Sequence, residues 1–576
     1  MVQKNIFRTV IKPSVRKGIA LAILVHVSIV LYLNAANFPN VDEVAHLTAG
    51  IALLSYGDIA YYRVNPPLVS SIGAIPAVMR GDAQFYPWLA SEPDSYERNE
   101  FNVGYEHLRL QGIKSHHRFF WPRVFCLPLS ICGLVATFYL GKELVDNTAG
   151  LAAAFIWATD PNICSNAATI NPDLGATAFG VLVSLSILRF RRHDSRSNAL
   201  YIAAFSGLSV LTKFSWLSLA LSVPLAMILR GKRENRKFFG KAFYTHRFRM
   251  IAIWMIATLL IFNAGYAFRG VGKSLSEIPL ANKSEKTNGP NQSVRSWLNG
   301  LVLQVPLPVP DEAIRGLSYL DYERGLENTS FLAGESKKGT WPHYYAFALF
   351  LKTPAATFVL AVAGLVWLSW TRREWIIVFL PQIVLFFALS AAGGFNHHFR
   401  YVLPAYIVII VGAAVCFSRL QKCGNMLRRL GATTIFAAVA TGCYSMPFPH
   451  SHFTMFVGGS SVGYKWLDFS NIEWGQDLSR LRQYVDTLPS NSTLFTDLAF
   501  RSTDPILMCR SCLPLEDIES YRVTTQEQNL PRFAYVIVHS KRLKSIPFKA
   551  AHERIGLGDP VKEIGDSYKV YRFTVR

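Results

Sequence analysis

Acidic residues are scarce in this chain: 38 Asp and Glu stand against 59 Lys and Arg in 576 residues, a formal net charge of +21. Internal repeats and low-complexity linkers are absent, so neither a repeat array nor a tail-like disordered region is expected. Cysteines number only eight. Cys509 and Cys512 form a single C-x-x-C, and no second pair completes a four-cysteine zinc site. A redox or metal pair therefore yields to a local structural disulfide, the form favoured in an oxidising compartment. Cys126, Cys132, Cys164, Cys416, Cys423 and Cys443 lie in or near apolar runs and read as packing residues. The first apolar segment has no small-residue cleavage site, so a cleavable signal peptide is not expected. Apolar side chains are what the chain has in excess. At 51% hydrophobic residues and a mean hydropathy of +0.22, it is too apolar for an ordinary soluble protein of its size.

The apolar residues come in runs bounded by Lys and Arg. A bilayer core needs about 20 apolar residues per helix, somewhat fewer inside a bundle. Eleven stretches qualify: 18–36, 119–140, 147–159, 173–190, 199–211, 214–229, 250–268, 352–370, 375–392, 400–417 and 431–446. Positive charge supports that alternation. Lys4, Arg8, Lys12, Arg16 and Lys17 place the N-terminus in the cytoplasm. The turns that then fall inside carry Lys142, Arg189 to Arg196, eight basic residues from Arg230 to Arg249, Arg372 and Arg373, and Arg419 to Arg429. The outward loop 160–172 has none. Topology thus accounts for most of the basic excess, and a nucleic-acid partner is rejected.

The expected fold is mainly α: a polytopic bundle of about eleven transmembrane helices in an inner (plasma) membrane. Residues 1–446 form the membrane core, with outward loops at 37–118 and 269–343. Residues 447–576 form a small outward α/β domain, in which Ser492–Phe500 and Phe533–His539 read as strands and Leu478–Leu488 as a helix. Loops of that size argue against a channel.

The chemistry gathers on the outward side. Asp42 and Glu43 follow the first span directly, and carboxylates at that depth are costly unless they line a wet cavity. His46 lies four residues after Asp42 and shares its helical face. The plain alternative is a helix start, capped by Asp42 with Glu43 facing the dipole. Gly57-Asp58 precedes Asn65-Pro66-Pro67-Leu68, a rigid turn into the short amphipathic stretch Val69–Met79, expected along the membrane interface. Asp173, Lys213, Lys352, His397, His398 and Arg400 all fall at outward span ends. Snorkelling explains one lysine. Several cations and acids at one face point to a shared anionic ligand. A phosphate held by Lys and Arg, beside an acid that handles a hydroxyl proton, is what transfer from a sugar phosphate requires.

These motifs resemble the GT-C glycosyltransferases, in the protein O-mannosyltransferase and aminoarabinose-transferase branch. The likeness rests on Asp42-Glu43, Ala49-Gly50, Gly57-Asp58…Asn65-Pro66-Pro67-Leu68, Arg123 in Trp121-Pro122-Arg123, and Asp173. It continues through Gly207…Thr212-Lys213-Phe214, Ser330–Glu335, Leu351–Pro354 and Arg400–Pro404, in order over about 20–420. Ser470-Asn471-Ile472-Glu473-Trp474-Gly475-Gln476-Asp477-Leu478 is similar to a segment of bacterial proteins with this core. The resemblance implies a polyprenyl-phosphate-linked sugar donor, an acceptor protein, lipid or glycan, inversion at the anomeric carbon, and a site at the outward membrane surface. Carried over by position, Asp42 is the base or acceptor-orienting carboxylate and Asp173 a second acid. Lys213 and Arg400 hold donor phosphate. His46, Asn65, Lys352 and His397 are further substrate-side candidates. A divalent metal is an open cofactor, with Glu43 and His46 as candidate ligands. In the aminoarabinose branch an acid and a lysine precede the first-loop proline; here Val64 and Asn65 stand there. Two other readings stay open: a glycan polymerase or ligase of related architecture, and an ion-coupled transporter. The transporter predicts charges at mid-span, whereas these cluster at span ends.

Overall fold

A computed structural model describes residues 12–82, 99–111, 116–229, 241–280, 304–326, 328–392, 394, 396–490, 492–497, 512–515, 533–544 and 546–574. Its helices start where the sequence offers caps. Asn40 accepts hydrogen bonds from the Asp42 and Glu43 amides and opens the Val41–Tyr56 helix, and Glu43 closes the capping box on the Asn40 amide. Asp160 caps Pro161–Ala167, and Asn171 caps Pro172–Arg192, each with proline at the first turn. Asp146 caps Asn147–Thr159.

All eleven apolar stretches are helical, but few are long enough to cross alone. Five helices have the length and hydropathy of spans: Pro13–Ala36, His117–Leu144, Pro172–Arg192, Tyr244–Gly265 and Phe399–Leu420. Tyr344–Lys352 and Ala355–Thr371 make a sixth if taken together across their 119° bend. Among the described residues, length and composition therefore give five or six candidate spans, against the eleven expected. Asn147–Thr159, at 13 residues, reaches about 20 Å. Leu380–Ala391 has 12 residues. The main core joins Pro13–Ala36, His116–Leu144, Asn147–Thr159, Ala355–Thr371 and Leu403–Leu420. In the last pair the backbones nearly touch: a methyl group on Gly364 would lie 1.9 Å from the Gly412 carbonyl oxygen. Small residues permit such approach where packing replaces the hydrophobic effect.

The Val69–Met79 stretch is the helix Leu68–Met79, buried along Val69, Ser70, Gly73 and Ala74. Loop 269–343 contributes the helix Asp311–Gly325 and a hairpin of strands β1 (Thr329–Leu332) and β2 (Glu335–Lys338). Beyond residue 447 lies a five-stranded mixed sheet of β3 (Thr493–Asp497), β4 (Cys512–Pro514), β5 (Phe533–His539), β6 (Lys562–Ile564) and β7 (Tyr568–Thr574), in the order β4-β3-β5-β7-β6. β3 is parallel to β4 and β5; β7 is antiparallel to β5 and β6. The expected helix is Leu478–Val485. Cys512 is disulfide-bonded, and Cys509 lies outside the described residues.

Candidate active site

Four elements converge on one cavity of about 780 Å³. The first turn of Val41–Tyr56 supplies Asp42, and the capped start of Pro172–Arg192 supplies Asp173. Lys213 is the residue after Arg196–Thr212, and Arg400 lies in the 3₁₀ turn Phe399–Val402. Arg400 Nη2 donates to Asp42 Oδ2 at 2.9 Å, and its Nε lies 3.5 Å from Asp173 Oδ2. Lys213 Nζ pairs with Asp173 Oδ1 and sits 4.1 Å above the Tyr401 ring. Two carboxylates and two cations thus alternate, with Arg400 between both acids.

Electrostatics leave this group ready for an anion. The Arg400 side chain is 8% exposed, and its Nη1 is buried with no hydrogen-bond partner among the described residues. A buried donor in that condition costs about 1–3 kcal/mol, which an incoming oxyanion relieves. Burial pulls the Lys213 pKa below its ordinary value, with Asp173 acting against that shift. Burial, with Arg400 second, holds His398 well below the usual imidazole range, so it faces the cavity neutral. Leu217, Leu385, Ala388, Leu389 and Ala392 line another part of the wall, an aliphatic surface suited to a hydrocarbon chain.

His46 and Asn65 also line the cavity. The His46 ring lies 5.0 Å from that of Tyr62, and its Nδ1 is 3.2 Å from Ser70 Oγ. The other three candidates are elsewhere. Glu43 is fully buried and holds Arg123 with both oxygens at 2.7 Å, while accepting from the Asn40 and Ile170 amides at 2.9 Å each. Arg123 spends its remaining donors on the carbonyls of Asn34, Asn37 and Phe38. The pair therefore ties the first outward loop to two helices. Lys352 Nζ donates to the carbonyls of His450 and Asn471 at 2.8 and 2.7 Å, a joint between the core and the chain beyond 447. His397 packs edge-on against Phe469 at 4.5 Å, and its neighbour His398 is the one at the cavity. Among the described residues no three His, Cys, Asp or Glu side chains group as metal ligands. With Glu43 committed to Arg123, the Glu43–His46 pair does not fit a metal.

Residues 116–262 match the family described as dolichyl-phosphate-mannose-protein mannosyltransferase. That match covers about a quarter of the chain and includes Asp173 and Lys213. No curated protein matches the chain. Among solved structures, the chain is similar to apo ArnT from Cupriavidus metallidurans at 11% identity and a TM-score of 0.48, over 97% of this chain and 98% of that one. The same protein bound to undecaprenyl phosphate gives 11% and 0.46, over 96% and 97%. The Archaeoglobus fulgidus oligosaccharyltransferase in its apo form gives 12% and 0.46, over 92% of this chain and 70% of that one.

Trp474 was missed as a site residue, although its segment stood out in the sequence. The Arg400 guanidinium carbon lies 3.5 Å from the centre of its ring.

Proposed function

We propose that the chain transfers a sugar from a polyprenyl-phosphate-linked donor to an acceptor hydroxyl, with inversion, at the outward membrane face. The observation that carries this reading is Asp42, Asp173, Lys213 and Arg400 meeting in one cavity with an aliphatic wall. Without donor, Arg400 is shared between two carboxylates. A donor phosphate that engages Lys213 and Arg400 Nη1 draws positive charge away from Asp42. That leaves Asp42 more basic just when an acceptor hydroxyl needs its proton taken. The leaving phosphate needs charge neutralisation rather than a strong acid, and the cations provide it. Attack opposite the phosphate in a single displacement gives inversion.

The two ends of one helix support the outward placement. Pro172–Arg192 begins at the site and runs about 30 Å to Arg189, Arg191 and Arg192. There Arg189 and Arg192 pair with Glu143, and Lys422 pairs with Asp146. A basic end opposite the site supports a cytoplasmic N-terminus and an outward cavity and C-terminal domain. The experiment is donor turnover by purified protein given a radiolabelled polyprenyl-phosphate sugar and an envelope extract. Label moving to an acceptor supports the reading. A donor that is neither bound nor consumed overturns it.

A further inference from the structure

Resting on that reading, we infer that the Ser470–Asp477 segment is a positioning strap, in which Trp474 sets the Arg400 guanidinium and through which the C-terminal domain holds the catalytic loops in register. The strap touches both halves of the site. On one side Ser470 Oγ is hydrogen-bonded to His398 Nδ1 at 2.6 Å, and the Asn471 amide grips the next turn, donating to the His397 carbonyl at 2.7 Å and accepting from the Phe399 amide at 2.8 Å. On the other side the carbonyls of Trp474 and Gln476 accept from the amides of Val41 and Phe38, both at 3.0 Å. Val41 immediately precedes Asp42. One short segment therefore sets the spacing between the loop carrying Asp42 and the turn carrying Arg400. Gly475 makes the turn possible: its φ is +103°, a region side chains disfavour, and it lies against the Pro39 carbonyl.

Trp474 forms the bed of the guanidinium. Its ring is 5% exposed, lies under Arg400 at 3.5 Å, and is itself stacked on His450 at 5.9 Å between centres. A guanidinium lying on an indole is held by its flat face, which leaves its N–H edge for carboxylate or phosphate. The strap is in turn anchored to the sheet domain. Glu473, fully buried, meets His539 Nε2 at 3.1 Å and the Tyr568 hydroxyl at 3.2 Å, and the Ser567 hydroxyl donates to Asp477. His539 ends β5 and Tyr568 begins β7, so two adjacent strands of the sheet fasten the strap.

The test uses full-length protein, with the affinity for polyprenyl phosphate and the separate kcat and KM for labelled donor as readouts. Trp474→Leu removes the bed and leaves every residue of the cavity in place. Donor affinity is expected to fall about 10- to 30-fold, measured well below a melting midpoint that the loss of the buried indole lowers. Trp474→Phe, which keeps a flat ring, is expected to recover most of the loss. In Arg400→Met, Trp474→Leu is expected to cost no further affinity, because the two act as one unit. Full affinity in Trp474→Leu, or an equal further loss in the Arg400→Met background, overturns the strap. If Trp474→Leu does not fold, Trp474→Phe and Trp474→Tyr are compared with wild type, and a loss of affinity in the Arg400→Met background equal to their loss in the wild-type background refutes the coupling. Wild-type protein that binds no polyprenyl phosphate defeats the functional reading instead, so the two failures are distinguishable.

Discussion

Replacing Arg123 by Met separates what Glu43 does from what Asp42 does. Both Arg123 and Glu43 are fully buried, and the Glu43 carboxylate carries four contacts: two from Arg123 at 2.7 Å and one each from the Asn40 and Ile170 amides at 2.9 Å. Deleting one partner of such a pair strands the other charge away from water, a loss of about 3–5 kcal/mol. Arg123→Met also frees three carbonyls of buried residues, on Asn34 in the last turn of Pro13–Ala36 and on Asn37 and Phe38 after it. Glu43→Gln leaves Arg123 as the stranded charge and is expected to fall in the same range. Combining Arg123→Met with Glu43→Gln removes both charges, so the double variant is expected to be more stable than the sum of the two losses predicts, by at least about 1 kcal/mol. The assay is the apparent melting midpoint in detergent at fixed lipid content, read beside donor affinity. A Glu43→Gln protein with wild-type stability and no turnover would refute the reasoning, because the carboxylate would then be chemical rather than structural.

Lys213→Met removes a charge-assisted contact of order 1.5–3 kcal/mol, and donor affinity is expected to drop roughly 10- to 150-fold by titration with polyprenyl phosphate. Because burial lowers the Lys213 pKa, raising the pH discharges it sooner than a free lysine, so donor affinity is expected to fall on the alkaline side earlier in wild type than in Lys213→Arg. Burial holds His450 and His452 at about 3, so below pH 6.5 the unfolded chain takes up protons that the fold does not, and stability falls as pH falls. Asp477 and Asp566, raised to about 6 by burial, act in the opposite sense between their ordinary value of 3.8 and 6, so the histidine effect is cleanest between pH 6 and 7; His452→Gln is expected to flatten the melting midpoint there. Reporters fused after Gly424 and after Ser490 are expected on opposite sides of the membrane, and same-side signals would contradict the outward placement of the C-terminal domain.

Much of the site was legible because position along a helix carries chemistry. The i, i+4 spacing of Asp42 and His46 places both on the cavity, and of the span-end residues Asp173, Lys213, His398 and Arg400 line it whereas Lys352 and His397 do not. Where the reading went astray, a backbone role had the stronger claim. Glu43 is drawn inward by Arg123, 80 residues away in sequence, and Lys352 by two carbonyls beyond residue 447. No local pattern announces such partners. The number of crossings was less legible for a related reason: a 119° bend between Lys352 and Ala355, and helices as short as Asn147–Thr159 and Leu380–Ala391, are not visible to a count of apolar runs. The cap on Asn40 was also misplaced by sequence, which offered Asp42 for that task; the Asn40 side chain takes it and leaves the Asp42 carboxylate for Arg400.

The central claim is that Asp42 takes the acceptor's proton while Lys213 and Arg400 hold the donor. Turnover of a radiolabelled polyprenyl-phosphate sugar by Asp42→Asn, beside its affinity for polyprenyl phosphate, tests that most directly. Asn keeps the size and can still meet Arg400, but it cannot act as a base. The account predicts a turnover about 10²- to 10⁴-fold below wild type, with donor affinity retained or raised because Arg400 is released from a competing carboxylate. Near-wild-type turnover in Asp42→Asn would contradict it and place the chemistry on another group.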